Sequence, residues 1–314
     1  MKPRHLVPFM VLFMCCDRPP ANRPAPAPPD PLGQGRTLLQ QGQLDAALAQ
    51  LQEVPLGAES LYLQGMVWAR KAQAAPPPTP PPPPPTGRPG EKTPPPPEFK
   101  DEELKAIGFF EAALAQNLDY SPAHLALADL LAPRAERLFD AQQEAAKRRG
   151  HRAAPPNLSE EGPDYSPERV LQAYQDAVRT APMVSEPVEG LIRFSVRVRR
   201  LEEANAAYLE LLKRNPEKPE PLIRYADFLA QEMQDPQGAI DRYREAMIWR
   251  PDDQQALLKI AELYIRRGEE HFARKENVPA EKNFLEAKKY ITDWTSPQGR
   301  KVQEYLEKFR RRGR

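Results

Sequence analysis

The chain reads as an all-α solenoid, a stack of about six helical hairpins ending in a C-terminal capping helix. Three observations predict it. Tyr174, Tyr208, Tyr243 and Phe284 recur at spacings of 34, 35 and 41 residues. Each stands four positions after a small or branched residue (Val170, Ala204, Ala239, Ala280) and three before another apolar one (Ala177, Leu211, Ala246, Ala287). A period of this length with helical internal spacing marks stacked helix pairs, none of which can bury its apolar face alone. Finally, Ser121-Pro122, Ser166-Pro167, Asp235-Pro236 and Ser296-Pro297 each place a capping side chain before a proline, the pattern of a helix start.

Residues 1–16 carry Lys2 and Arg4, then an apolar run, then Cys15-Cys16. From Leu6 to Cys16 there are 11 residues, against the about 20 needed to cross a bilayer, so the segment reads as a secretion signal. A signal that runs into cysteine resembles that of bacterial lipoproteins, whose cysteine is acylated and becomes the mature N-terminus. The resemblance implies lipidation at Cys15 or Cys16. With Cys15, Leu12 fits the lipoprotein pattern and Met14 replaces the usual small residue; with Cys16, Cys15 is the small residue and Phe13 replaces the usual leucine. A plain signal is the alternative. Residues 17–32 form a proline-rich linker that favours a semi-rigid polyproline spacer.

Residues 33–314 hold the solenoid. The first hairpin, 33–54, is short, with "GQLDAALAQL" as its clearer half. The second opens with "AESLYLQGMVWARKAQ", where Leu61, Gly65 and Trp68 share a face, and closes with the helix of Ala106, Phe110 and Ala113. A proline-rich insertion, 74–98, separates its two helices. The third opens with "SPAHLALADLLAPRAERLFDAQQEAAKRRG" and closes with the helix of Tyr174, across a loop insertion at 149–165. Such insertions are tolerated because loop-closure cost grows only logarithmically with length. The fourth, fifth and sixth hairpins occupy 185–216, 217–251 and 252–294, and the capping helix 297–311.

The segments "VLQAYQDAVRTAP", "EEANAAYLELLKRNP" and "GAIDRYREAMIWRP" resemble the second helix of a tetratricopeptide repeat, each ending in Pro182, Pro216 or Pro251. "PEPLIRYADFLA" and "QQALLKIAELYIRRG" resemble the first, and in the latter Leu257, Ile260, Ala261 and Tyr264 fall on one helical face.

Composition excludes several function classes. A net charge of +1 gives no footprint for nucleic acid. Both cysteines lie at the N-terminus, leaving none for a disulfide framework or a thiol nucleophile in the body of the chain. His5, His124, His151 and His271 show no metal-ligand spacing, and His124 stands on an apolar helix face as a core-edge residue. No phosphate loop, nucleophile elbow or dinucleotide turn occurs. Neither catalytic residue, metal nor cofactor is expected.

In tetratricopeptide proteins the first helices line a concave groove. The resemblance implies that Glu186, Glu189, Arg193 and Arg197 face it in the fourth repeat. Ile223, Arg224 and Asp227 do so in the fifth, and Leu258, Lys259, Glu262, Ile265 and Arg266 in the sixth. Such a wall, rich in Arg and Lys with apolar spots, suits a peptide or helix carrying acidic and aliphatic residues; a merely solvated face is the alternative. The asparagines with which some family members clamp a peptide carboxylate are missing from the matching places. The tail 299–314 has seven basic residues against Glu304 and Glu307, open to anionic lipid or an acidic partner, or simply a solvated cap. The expected role is a non-catalytic scaffold or adaptor of the bacterial cell envelope, membrane-anchored through its lipid and facing the periplasm or outside. A non-lipidated periplasmic or secreted adaptor, or a cytoplasmic regulatory one, is the rival reading.

Overall fold

The computed structural model describes residues 30–75, 99–149 and 163–312. Cys15 and Cys16, with nearly all of the linker, the proline-rich insertion and the 149–165 loop, lie outside the described residues. Among the described residues there are thirteen α-helices and no strand, and the chain divides into two compact units between Pro55 and Leu56.

The first unit is one hairpin, α1 (Pro31–Gln40) and α2 (Leu44–Gln52). Leu39, Ala47 and Leu51 are buried between its helices. The turn closes at Gly42, whose φ of 76° suits a residue without Cβ. Gly42 N donates to Leu39 O at 3.1 Å and Gln43 N to Leu38 O at 2.9 Å, which satisfies carbonyls that the helix end would leave open.

The second unit holds five more hairpins: α3 (Ala58–Ala74) with α4 (Asp101–Gln116), α5 (Ser121–Arg149) with α6 (Pro167–Thr180), α7 (Glu186–Arg197) with α8 (Leu201–Arg214), α9 (Pro219–Gln231) with α10 (Pro236–Trp249), and α11 (Gln254–Ala273) with α12 (Asn277–Lys288). A final helix, α13 (Pro297–Arg312), follows. Each pair is sealed by the repeated apolar residues: Val170, Ala204, Ala239 and Ala280 are wholly buried, as are Phe284 and, within a few per cent, Tyr174 and Tyr243. On α13, Val302, Tyr305 and Phe309 turn to the body, where the Tyr305 ring stacks on Phe284 at 4.3 Å between centroids.

Helix starts follow the sequence signals with one difference. Ser166, Asp235 and Ser296 each accept a backbone N–H from their own first turn, at 3.2, 2.9 and 3.1 Å. Ser121 does not cap; it is the first residue of α5, and its hydroxyl donates to Ala177 O at 3.0 Å on α6. A buried hydroxyl needs a partner, and the neighbouring helix end supplies one. Pro133 lies inside the 29-residue α5. Lacking an N–H, it leaves the Asp129 carbonyl without its helical donor.

Candidate partner-binding site

In four of the hairpins the second-helix aromatic meets a first-helix residue matched to it. Tyr174 donates its hydroxyl hydrogen to Asp129 Oδ1 at 2.6 Å, and Tyr243 does the same to Asp227 Oδ1 at 2.6 Å. Where the aromatic is phenylalanine the facing residue is glycine. A Cβ on Gly65 would stand 2.6 Å from Phe110 Cε1, and one on Gly268 would stand 2.9 Å from Phe284 Cε2. In these four hairpins a phenol faces a carboxylate and a bare ring faces bare backbone, whereas Tyr208 of the fourth hairpin packs against Tyr225 and Phe228 of α9.

The residues assigned to a groove wall all lie on first helices, and the structure gives most of their charges partners on neighbouring helices. Arg197 of α7 makes a two-pronged contact with Asp140 of α5 at 2.9 and 2.5 Å, which holds the Asp140 carboxyl below its usual range. Arg224 of α9 donates to Glu189 of α7 at 2.8 Å, and Lys259 of α11 lies 3.3 Å from Asp227 of α9. Gln298 of α13 donates to Glu262 of α11 at 2.9 Å, and Lys301 reaches Glu269 at 3.0 Å. The basic excess read from the sequence is therefore largely taken up within the fold. Arg193 lies beside the Tyr174 hydroxyl, opposing the rise that burial imposes on that phenol. Arg266 is exposed, Leu258 is exposed and Ile223 half-buried.

Ile265 requires correction. Read as an apolar spot on the wall, it is 5% exposed and belongs to the core. Glu262 and Glu269, one turn to either side of it, both bond to α13, so the capping helix lies across that face.

A wide concavity lies elsewhere, between α3, α4, α5 and the start of α7. It is a cleft of about 1420 Å³. Tyr62 and Met66 of α3 and Leu125, Ala126, Leu130 and Leu138 of α5 give it an apolar lining. Its charged groups divide into two sets. Arg134 pairs with Glu103 while its guanidinium sits 4.1 Å from the Phe99 ring centre. Lys100 Nζ donates to Ala72 O and Ala75 O at 2.7 and 2.6 Å, closing the end of α3. These groups fasten the walls. Asp129, Glu186 and Arg137 also line the cleft. Among the described residues no cation pairs with Asp129 or Glu186, and Arg137 donates only to its own helix, at Pro133 O, 3.2 Å. Burial raises the Tyr62 hydroxyl above its ordinary value, with Glu186 and Asp129 adding to the rise and Arg70 opposing it.

The sequence reading placed Glu186 on the wall but missed this cleft. A signal was present: both insertions fall in the second and third repeats, and Ala75 and Tyr165, beside their ends, line the cleft. His124 is buried as expected, its Nε2 donating to Leu118 O at 2.8 Å. No group of three or more His, Cys, Asp or Glu among the described residues is placed to hold a metal ion.

No protein-family model matches the chain, and no curated protein does. Among solved structures it is similar to PilF of Pseudomonas aeruginosa, at 15% identity over 87% of this chain and 95% of that one, with a TM-score of 0.43. It is similar to TTC0263, a tetratricopeptide protein of Thermus thermophilus, at 17% identity over 74% and 96%, TM-score 0.38. A third is the C-terminal part of a tetratricopeptide repeat-containing protein from Cytophaga hutchinsonii, at 10% identity over 88% and 86%, TM-score 0.48. These likenesses are low, and the assignment rests on the helices themselves: their strict pairing, the 34- to 35-residue step between Tyr174, Tyr208 and Tyr243, and the aromatic set against a small or acidic residue. By those marks the chain has the fold of the tetratricopeptide repeat proteins.

Proposed function

We propose that the protein is a non-catalytic scaffold of the bacterial cell envelope, tethered through an acylated Cys15 or Cys16, which holds a protein partner in the cleft beside α5. The observation that carries this reading is the cleft. Its volume of about 1420 Å³ exceeds the roughly 300–1,000 Å³ of small-molecule pockets, and its lining is mainly apolar on a frame of packed helices. The aliphatic part of the partner anticipated from the sequence finds its footing there. The acidic part has less to meet, because Arg224 and Lys259 are already matched by Glu189 and Asp227. The envelope location is supported by the signal-like residues 1–16 alone.

Two measurements test the reading. Intact mass and membrane fractionation are compared for the wild type and a Cys15→Ser/Cys16→Ser form; acyl mass and membrane attachment lost in the mutant support the tether, and an unmodified soluble wild type removes it. A photo-crosslinking residue at Leu138 in the cleft is compared with one at the exposed Leu209 on α8. Discrete partner adducts at 138 and not at 209 support the scaffold reading, and equal, diffuse labelling overturns it.

A further inference from the structure

The chemistry of the cleft narrows its occupant. Along α5 its lining runs from Leu125 to Ala141, about 24 Å at 1.5 Å per residue. That stripe, on a helix whose neighbours repeat the same packing, offers the ridges and grooves that a further helix of about sixteen residues fills.

Charge fixes the occupant's polar edge. With Lys100, Arg134 and Glu103 spent on the walls, the acids left at the cleft are Asp129 and Glu186. Both lie close enough to Tyr62 to add to the rise of its hydroxyl. The Asp129 carbonyl, deprived of its helical donor by Pro133, adds an acceptor at the same place. The remaining cation of the lining itself, Arg137, stands eight residues along α5 from Asp129, about 12 Å away. One end of the cleft is thus rich in acceptors. Arg193 of α7 is turned to the Tyr174 hydroxyl that Asp129 also holds, and a basic side chain of the occupant supplies the cation that Glu186 lacks.

We propose that the cleft holds an amphipathic helix of a partner protein, its aliphatic stripe laid along α5 and its lysine or arginine side chains against Asp129 and Glu186. This rests on the cleft being the partner site. It departs from the acidic partner anticipated from the sequence.

The test uses the full chain and three labelled peptides. One is an 18-residue helix former with leucines at i, i+3, i+4 and i+7 and four flanking lysines. The second has glutamates for the lysines, and the third copies residues 76–97 of this chain. The lysine peptide is expected to bind about tenfold more tightly than its glutamate twin. Asp129→Asn/Glu186→Gln should bring that ratio near one, with the circular dichroism unchanged because asparagine still accepts the Tyr174 hydroxyl. Equal binding of the twins, both lost in Leu130→Gln, leaves the cleft as a partner site and overturns the basic helix. No binding by either twin, or binding indifferent to Leu130→Gln, sinks the cleft reading and the inference together. A preference for the glutamate peptide, or tighter binding of the 76–97 peptide, also overturns the proposal.

Discussion

Tyr243 of α10 donates its hydroxyl hydrogen to Asp227 of α9 at 2.6 Å, and Asp227 also faces Lys259 of α11 at 3.3 Å. One carboxylate therefore serves the hairpin it belongs to and the next one. Tyr243→Phe should cost about 1.5–3 kcal/mol, the range for a hydrogen bond to a charged acceptor. Adding Asp227→Gly should recover part of it, because that combination reproduces the Gly65–Phe110 arrangement. A double-mutant cycle by urea denaturation measures the coupling; strictly additive losses would contradict the matched-pair account.

Alkali should loosen the fold through the same rings. Burial is the leading cause that raises the hydroxyls of Tyr62, Tyr174, Tyr208, Tyr225 and Tyr243 above their ordinary value of 10.0. The native state then keeps protons that the unfolded chain gives up, so this stability is complete below about pH 10 and is lost as pH rises toward the folded values. Denaturation midpoints should be flat from about pH 7 to 9 and fall beyond 10. Tyr174→Phe should make that fall shallower.

Two glycines separate space from propensity. Gly65→Ala drives a methyl to 2.6 Å from the Phe110 ring and should destabilise by about 1–3 kcal/mol. Gly108, inside α4, has nothing within 4 Å of the point where a methyl would stand. Gly108→Ala should stabilise by about 0.5–1 kcal/mol through helix propensity. Thermal melts of the two variants should move in opposite directions.

The turns joining first and second helices store strain that can be relieved. Arg199 and Lys275 hold φ values of 60° and 62°. Both sit where Gly42 sits in the first hairpin, with the same pair of backbone bonds, Lys275 N to Phe272 O at 3.0 Å and Glu276 N to His271 O at 2.9 Å among them. A left-handed conformation costs a non-glycine residue about 1–2 kcal/mol. Lys275→Gly should raise the melting temperature, offset in part by the greater freedom of the unfolded chain. A fall would mean that the lysine side chain contributes more than its backbone costs.

Legibility in the sequence followed the range over which information is local. The Tyr174, Tyr208 and Tyr243 period exposed the hairpins because core positions repeat with the helix, and the starts at Ser166, Asp235 and Ser296 were readable from two adjacent residues. The cleft was not, since Asp129 on α5 and Glu186 on α7 line it from helices separated in sequence by the whole of α6. Ser121 misled because a buried hydroxyl answers to the nearest open carbonyl, here Ala177, wherever the chain has placed it. Ile265 was assigned to the surface because nothing local announces that α13 will cover it. The charges assigned to the wall lie on α7, α9 and α11, and their pairing depends on the lateral offset between helices, which no period encodes.

Among the described residues, the ion pairs between the bodies of successive first helices, and from the last of these to α13, point one way along the chain, while Arg199–Glu232, at the ends of α7 and α9, runs the other way. In Arg197–Asp140, Arg224–Glu189, Lys259–Asp227 and Lys301–Glu269 the base belongs to the later helix and the acid to the earlier. Every first helix from α7 to α11 therefore shows an anion to its successor and a cation to its predecessor, like links that hook front to back. Excising the fifth repeat would bring Glu189 opposite Lys259 with its polarity preserved, and duplicating it would add another link of the same sense. The array can change length without redesign of its joints, whereas a repeat with its two charges exchanged would meet like charge on both sides.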